Sequence, residues 1–198
     1  KGYLRGGYEG FADTLRDSII ARGGEVRMSS PVAAVESNGT SVRADVAGVD
    51  ERFDAVISTL PIPRLTALAR GALAHDIPLP DLKYQGCVNA VVVSRRPLER
   101  FYWTIVVDPA FPFQGVVETT HVIPSEWIGN RHLIYCMNYC EPGSEPYQRP
   151  DELVKRQALD GLTALYPGFR VADVEDVYVF RAPHVEPVWT VGYLRKRP

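Results

Sequence analysis

Four aromatic side chains offer the chain's best material for a binding wall: Tyr102 and Trp103, then Tyr135 and Tyr139, each pair inside a run of strand-forming residues. Flat aromatic surfaces of this kind can line an apolar cavity and hold a ligand face-on. The competing use is ordinary core packing, where aromatics on strands usually go. Groups suited to proton transfer are scarcer. Glu118 and His121 fall on one strand-like run at odd spacing. An extended chain then sends them to opposite sides, so they are expected to form no acid–base pair. Cys87, Cys136 and Cys140 fit no metal-ligand pattern. Cys136 and Cys140 would share one face of a strand with Cα atoms roughly 13 Å apart, too far for a disulfide. Three isolated thiols read as small buried hydrophobes and suit a reducing, cytoplasmic setting. There is no Ser-His-Asp arrangement, no metal cluster and no carboxylate pair at useful spacing.

The elements that must position these residues can be read from periodicity. Phe11, Leu15, Ile19 and Ile20 recur at helical spacing, and Gly23-Gly24 ends that helix. Short β-like runs follow at Glu25–Met28, Pro31–Glu36 and Ser41–Val46, the last with Val42, Ala44 and Val46 on one face. Gly48–Glu51 reads as a hairpin turn, returning through Arg52–Ser58, where Phe53–Ile57 has the composition of a buried strand. Pro61 and Pro63 start a short helix carrying Leu65 and Leu68, and Gly71–Asp81 reads as a loop.

The second half is strand-rich, with expected strands at Gly86–Ser94, Tyr102–Asp108, Gln114–His121 and Arg131–Tyr139. A polar loop, Glu141–Pro150, leads into a helix over Asp151–Tyr166 with an apolar stripe of Leu153, Ala158, Leu162 and Leu165. The last strand, Val174–Phe180, places Val177 and Val179 opposite Asp176, Tyr178 and Phe180. This order predicts an α+β fold: a mixed, largely antiparallel sheet with helices packed on one face. It lacks the regular strand–helix alternation of a doubly wound nucleotide fold.

Composition narrows the partners. The chain has 198 residues, 45% hydrophobic and 23% charged, with a net charge of −2. That balance gives no general attraction to nucleic acid or anionic lipid. The one dense basic cluster, Arg195-Lys196-Arg197, reads as a solvated end. No apolar run is long enough to span a bilayer, so no transmembrane segment is expected. The chain opens on Lys1 and closes on Arg197-Pro198, which leads to the expectation of a fragment cut from a longer protein.

The ordered segments then resemble a known superfamily. Gly6-Gly7 before the first helix, Gly23-Gly24-Glu25-Val26, Pro31-Val32 and Phe53-Asp54-Ala55-Val56-Ile57-Ser58-Thr59-Leu60-Pro61 are similar to the flavin-containing amine oxidases and their protoporphyrinogen-oxidase-like relatives. Phe101-Tyr102-Trp103, Gly115 to His121, Leu133-Ile134-Tyr135 and Phe180 to Val188 extend the resemblance over almost the whole chain. It implies FAD in a full-length parent and hydride transfer from a small apolar or amine substrate. It places Pro31 and Val32 at the adenine edge and Thr59 and Pro61 in the turn near the flavin. Arg181 and His184 would then stand on the segment approaching the substrate cavity, with Tyr102, Trp103, Tyr135 and Tyr139 as cavity aromatics. The family's GxGxxG fingerprint and its C-terminal Gly-Asp segment are absent. The resemblance therefore implies that residues 1–198 are the substrate-side fragment of a larger flavoenzyme, inactive and without FAD by themselves. Residues 1–70 would adjoin the missing FAD-binding domain, and residues 83–190 would form the substrate-domain sheet and helix. Two alternatives remain: a non-catalytic binding domain of the same fold, or a flavin-dependent mutase such as UDP-galactopyranose mutase.

Overall fold

The computed structural model describes residues 3–4, 6–71, 73–76 and 82–195. Within the expected loop Gly71–Asp81, Pro78, Pro80 and Asp81 lie outside the described residues, as do Lys196 and Arg197 of the basic cluster. The chain forms two compact units, one of Arg5–Leu82 with Thr190–Pro198 and one of Lys1–Leu4 with Lys83–Trp189.

The first unit opens with helix α1, Gly7–Ala21, whose N-cap Gly6 sits at φ 83°. Its end is closed by the amides of Arg22 and Gly23, which donate to Ile19 and Ile20. The expected stripe forms, yet no residue of α1 is buried and Phe11, Leu15, Ile19 and Ile20 are about half exposed. A four-stranded sheet follows, built from β1 (Val32–Ser37), β2 (Val42–Val46), β3 (Val49–Phe53) and β4 (Ala69–Arg70) in the order β3-β2-β1-β4. Its pairs are antiparallel except β1 with β4. Val35, Ala44 and Val46 make its small core, with Val42, Phe53 and Leu73 packed on it. Helices α2 (Ile62–Leu68) and α3 (Leu73–Asp76) flank β4 in sequence, so a turn of helix replaces part of the expected loop.

Three expectations in this unit are corrected. Glu25–Met28 forms no strand; Arg27 instead donates to the carboxylate of Glu51 at 2.7 and 3.1 Å. The hairpin turn is Ala47-Gly48, at φ 53° and 84°, so Val49 already pairs with Val46. Two consecutive positive φ values make the tight hairpin turn whose twist matches the strands it joins. Phe53–Ile57 is not a strand beyond Phe53, and Ile57 is 92% exposed. Among the described residues nothing pairs with positions 54–59, and an extended segment without a ladder has no bonds to hold it.

The second unit is a five-stranded antiparallel sheet: β5 (Tyr84–Ser94), β6 (Trp103–Ile105), β7 (Gly115–Glu118), β8 (His132–Cys140) and β9 (Val174–Pro187), ordered β6-β7-β8-β5-β9. Helices α4 (Glu145–Gln148) and α5 (Asp151–Leu165) follow β8. The α5 stripe buries Ala158 and Leu162 against Ala90, Val92, Val116, Ile134 and Cys136, with Phe113, Tyr166 and Phe169 closing the core. Each fully buried aliphatic side chain here contributes about 2 kcal/mol. Gly161 sets the closeness of the approach, because a Cβ there would stand 2.7 Å from the Phe113 ring. Three strands depart most from expectation. Tyr102–Asp108 shrinks to Trp103–Ile105, where the Val117–Gly115 partner run ends. Gln114–His121 stops at Glu118 and continues as a 3₁₀ turn, Thr119–His121. The last strand runs past Phe180 to Pro187, because the long interior β5 still offers Tyr84 and Gln85 as partners there. Its prolines are tolerated because β9 is an edge strand. Among the described residues, no helix is long and apolar enough to cross a membrane.

Candidate functional site

Side-chain alternation gives the five-stranded sheet two faces of different character. Ala90, Val92, Val116, Ile134 and Cys136 point to the α5 side and are buried. Their neighbours in sequence point the other way and line up in transverse rows. The first row runs Trp103–Val117–Tyr135–Val91–Tyr178 across all five strands. The second runs Ile105–Gly115–Met137–Asn89–Phe180. Tyr139 and Cys87 continue the same face along β8 and β5, with Ala182 across β9. The face is open: Trp103 is 50%, Ile105 73%, Tyr178 49% and Phe180 58% exposed. The Tyr178 and Phe180 rings lie 6.5 Å apart. Toward the other edge, Gly115 leaves a dip beside Trp103 and Met137, since a Cβ there would meet Met137 Cε at 3.1 Å and Trp103 Nε1 at 3.7 Å.

The structure brings some of the sequence-derived candidates together and separates others. Trp103 and Tyr135 share the first row, and Tyr139 lies on the same face. Tyr102 just precedes β6; its hydroxyl is 3.1 Å from that of Tyr3, and its carbonyl accepts from the Glu118 amide. Arg181 is committed elsewhere: its guanidinium donates to the carbonyls of Tyr147 and Arg149 and to the Asp151 carboxylate, which ties β9 to the loop and first turn of α5. His184 packs edge-on against Tyr84, centroids 5.4 Å apart. In the first unit, the Pro31 carbonyl accepts from the Ala47 amide at 2.8 Å, and Val32 opens β1 opposite Val46. Thr59 lies in the irregular stretch before Pro61, which caps α2 and accepts from Arg64 and Leu65.

Electrostatically the open face is quiet. Burial pushes the phenols of Tyr135 and Tyr139 up from their ordinary value, and the Cys87 thiol likewise. Tyr178 is raised by its hydrogen bond to Asp176, whose carboxyl is lowered by the same bond. These hydroxyls and this thiol stay protonated at neutral pH, so the face can bind, orient and exclude water but presents no nucleophile. Among the described residues, no group of His, Cys, Asp and Glu could hold a metal ion.

Two polar features do not follow from the sequence pattern: one contact and one residue. Glu118 and His121 do meet, against expectation: the strand ends at Glu118, and the 3₁₀ turn carries His121 back so that Nε2 stands 3.1 Å from Glu118 Oε2. The same carboxylate, 1% exposed, also accepts from the Leu98 amide and the Thr120 hydroxyl and lies 3.1 Å from His132 Nδ1. A period-two argument fails wherever the strand stops short. The other feature is Asn89, in the middle of the second row; its signal was a lone amide inside an apolar strand run.

The fold has solved relatives. A protein provisionally named a protoporphyrinogen oxidase, from Exiguobacterium sp. 255-15, matches 96% of this chain with 42% of its own, at 18% identity and a TM-score of 0.73. An oxidoreductase from Methanosarcina mazei matches 91% of this chain with 43% of its own, at 22% identity and TM-score 0.69. A reduced UDP-galactopyranose mutase matches 96% with 41%, at 13% identity and TM-score 0.71. The chain thus spans less than half the length of each, and identities this low establish a shared fold alone. No curated protein matches the chain. The model of the family described as flavin-containing amine oxidoreductase matches residues 2–190, nearly the whole sequence, and the chain therefore belongs to that family.

Proposed function

We propose that this chain is the substrate-side part of an FAD-dependent oxidoreductase of amine-oxidase type, in which a small apolar or amine substrate gives up a hydride to the flavin. The observation that supports it is the open sheet face. Its two rows place aromatic and aliphatic side chains on a rigid antiparallel scaffold, with no charged side chain in either row. Rigid strands hold such a wall better than loops, and an apolar wall positions a substrate while shedding water. Trp103, Tyr135 and Tyr178 would orient the substrate, with Tyr139 extending the wall.

The residues present do not by themselves fit FAD. A dinucleotide needs a strand, a glycine-rich turn and a helix N-terminus for its pyrophosphate. Here no strand among the described residues precedes Gly6 and Gly7 at the start of α1. In this reading Pro31, Val32, Thr59 and Pro61 touch only the edges of a cofactor held by residues outside the chain. The cofactor, when bound in the parent, supplies the hydride-accepting chemistry. The chain alone then binds no FAD and turns nothing over. Residues 1–70 adjoin the FAD-binding part, and residues 83–190 are the substrate domain. The mutase reading is disfavoured, because a nucleotide-diphosphate sugar would need basic side chains that the two rows lack. Three free thiols suit a reducing compartment, and we place the parent in the cytoplasm.

The test is spectroscopic. The protein expressed from its full reading frame should carry the visible bands of FAD and lose them on anaerobic addition of a substrate from a panel of amines and partly saturated ring systems. Trp103→Ala should raise the substrate concentration for half-maximal bleaching about tenfold. A protein without flavin, or bleaching indifferent to Trp103, contradicts the proposal.

A further inference from the structure

We infer that Asn89 is the specificity-determining residue of the open face, donating a hydrogen bond from its side-chain amide to an acceptor atom on an otherwise apolar, uncharged ligand. The inference rests on the proposal that this face is the ligand wall. Asn89 occupies the centre of the second row, between Met137 and Phe180. It sits on β5, an interior strand with a partner on both sides, and interrupts the run Val88–Val93 of otherwise apolar residues. Its Oδ1 is buried and has no hydrogen-bond partner. Among the described residues it is the one side-chain nitrogen or oxygen atom in that condition.

A buried amide without a partner costs free energy, whereas an aliphatic side chain of similar size at this position would cost none. Sheet packing therefore gives no reason for an amide here. Oδ1 is the enclosed atom of the amide, which leaves the Nδ2 end for whatever covers the face. This is the less costly way round, since an enclosed carbonyl-type oxygen is tolerated better than an enclosed N–H. The face thus offers N–H donors in a ring of Met137, Phe180, Val91 and Cys87. A ligand that covers it with hydrocarbon alone would strip water from Nδ2 without replacement. A ligand with an acceptor at that point satisfies it. The surrounding rows hold no cation to balance an anion, so the acceptor belongs to a neutral group such as a carbonyl, a ring nitrogen or an uncharged amine.

The test uses two probes of the same shape, quinoline and naphthalene, which differ by one ring nitrogen. Their dissociation constants are measured by calorimetry on the protein expressed from its full reading frame. Asn89→Leu should weaken quinoline about fivefold relative to naphthalene, the worth of one net hydrogen bond, and leave naphthalene unchanged or tighter. It should also raise the melting temperature, because the orphaned amide is gone; a loss of folding in this variant is excluded by that same scan, and Asn89→Ala serves as the smaller control. Equal responses of both probes to Asn89→Leu overturn the assignment of Asn89. Trp103→Ala separates the two claims: it should weaken both probes by the same factor. If it does so while Asn89→Leu leaves their ratio fixed, the wall stands and the anchor falls. If wild-type protein binds neither probe, both fall.

Discussion

The two faces of the five-stranded sheet come from the same strands, residue by residue, and differ in what lies over them. Under α5, Val92, Ile134 and Leu162 are fully enclosed and the polar groups at the margin are paired. On the other side, Trp103, Ile105, Tyr178 and Phe180 stand about half or more exposed. Apolar area left in water gains nothing for stability, so an aromatic row kept there points to a ligand or partner rather than to the fold. The contrast teaches that residue type alone does not divide core from site on a strand; the cover does.

Substitutions should respond accordingly. Leu162→Ala removes a fully enclosed side chain and should cost about 3 kcal/mol in denaturant unfolding. Glu118→Ala strands the Leu98 amide, the Thr120 hydroxyl and two imidazoles, and should cost about 2–3 kcal/mol, with Glu118→Gln costing less. Arg181→Ala frees the Tyr147 and Arg149 carbonyls and should cost about 1–2 kcal/mol while leaving ligand binding on the open face unchanged. A loss of binding instead would move Arg181 into the site.

Cys136, on the covered face, sharpens the comparison by pH. Burial raises its thiol above the ordinary value of 9.0, so the native state keeps a proton that the unfolded chain releases. Stability should therefore be intact below that value and fall as pH rises through it. Between pH 8 and pH 9.5 the loss is about 1 kcal/mol, and Cys136→Val should abolish that part. Tyr178→Ala and Phe180→Ala, on the open face, should change stability by no more than about 0.5 kcal/mol while weakening ligand binding. A large destabilisation would make that face part of the core.

Much of this was legible in the residues. The alternation in β2, the β5 run and the α5 stripe each follow a strong period, and the fold class follows from their order. What escaped depended on partners and endings. Phe53–Ile57 has strand composition, but beyond Phe53 it has no ladder to join. The Glu118–His121 contact arises from a strand that stops one turn early. Arg181 and His184, set toward a cavity by resemblance, have local partners, Asp151 and Tyr84, which no spacing rule anticipates. Asn89 was visible as a polar break in an apolar run, but its lack of a partner is a property of the packed sheet.

The central claim is the proposal that the open face is a substrate wall. Oxidative footprinting of the protein from its full reading frame, with and without FAD and a bound ligand, tests it most directly. The account predicts that Trp103, Tyr178 and Phe180 become protected together on loading, while Phe11 and Leu15 of α1 do not follow the ligand. Unchanged labelling of all three aromatics in the loaded protein would contradict it.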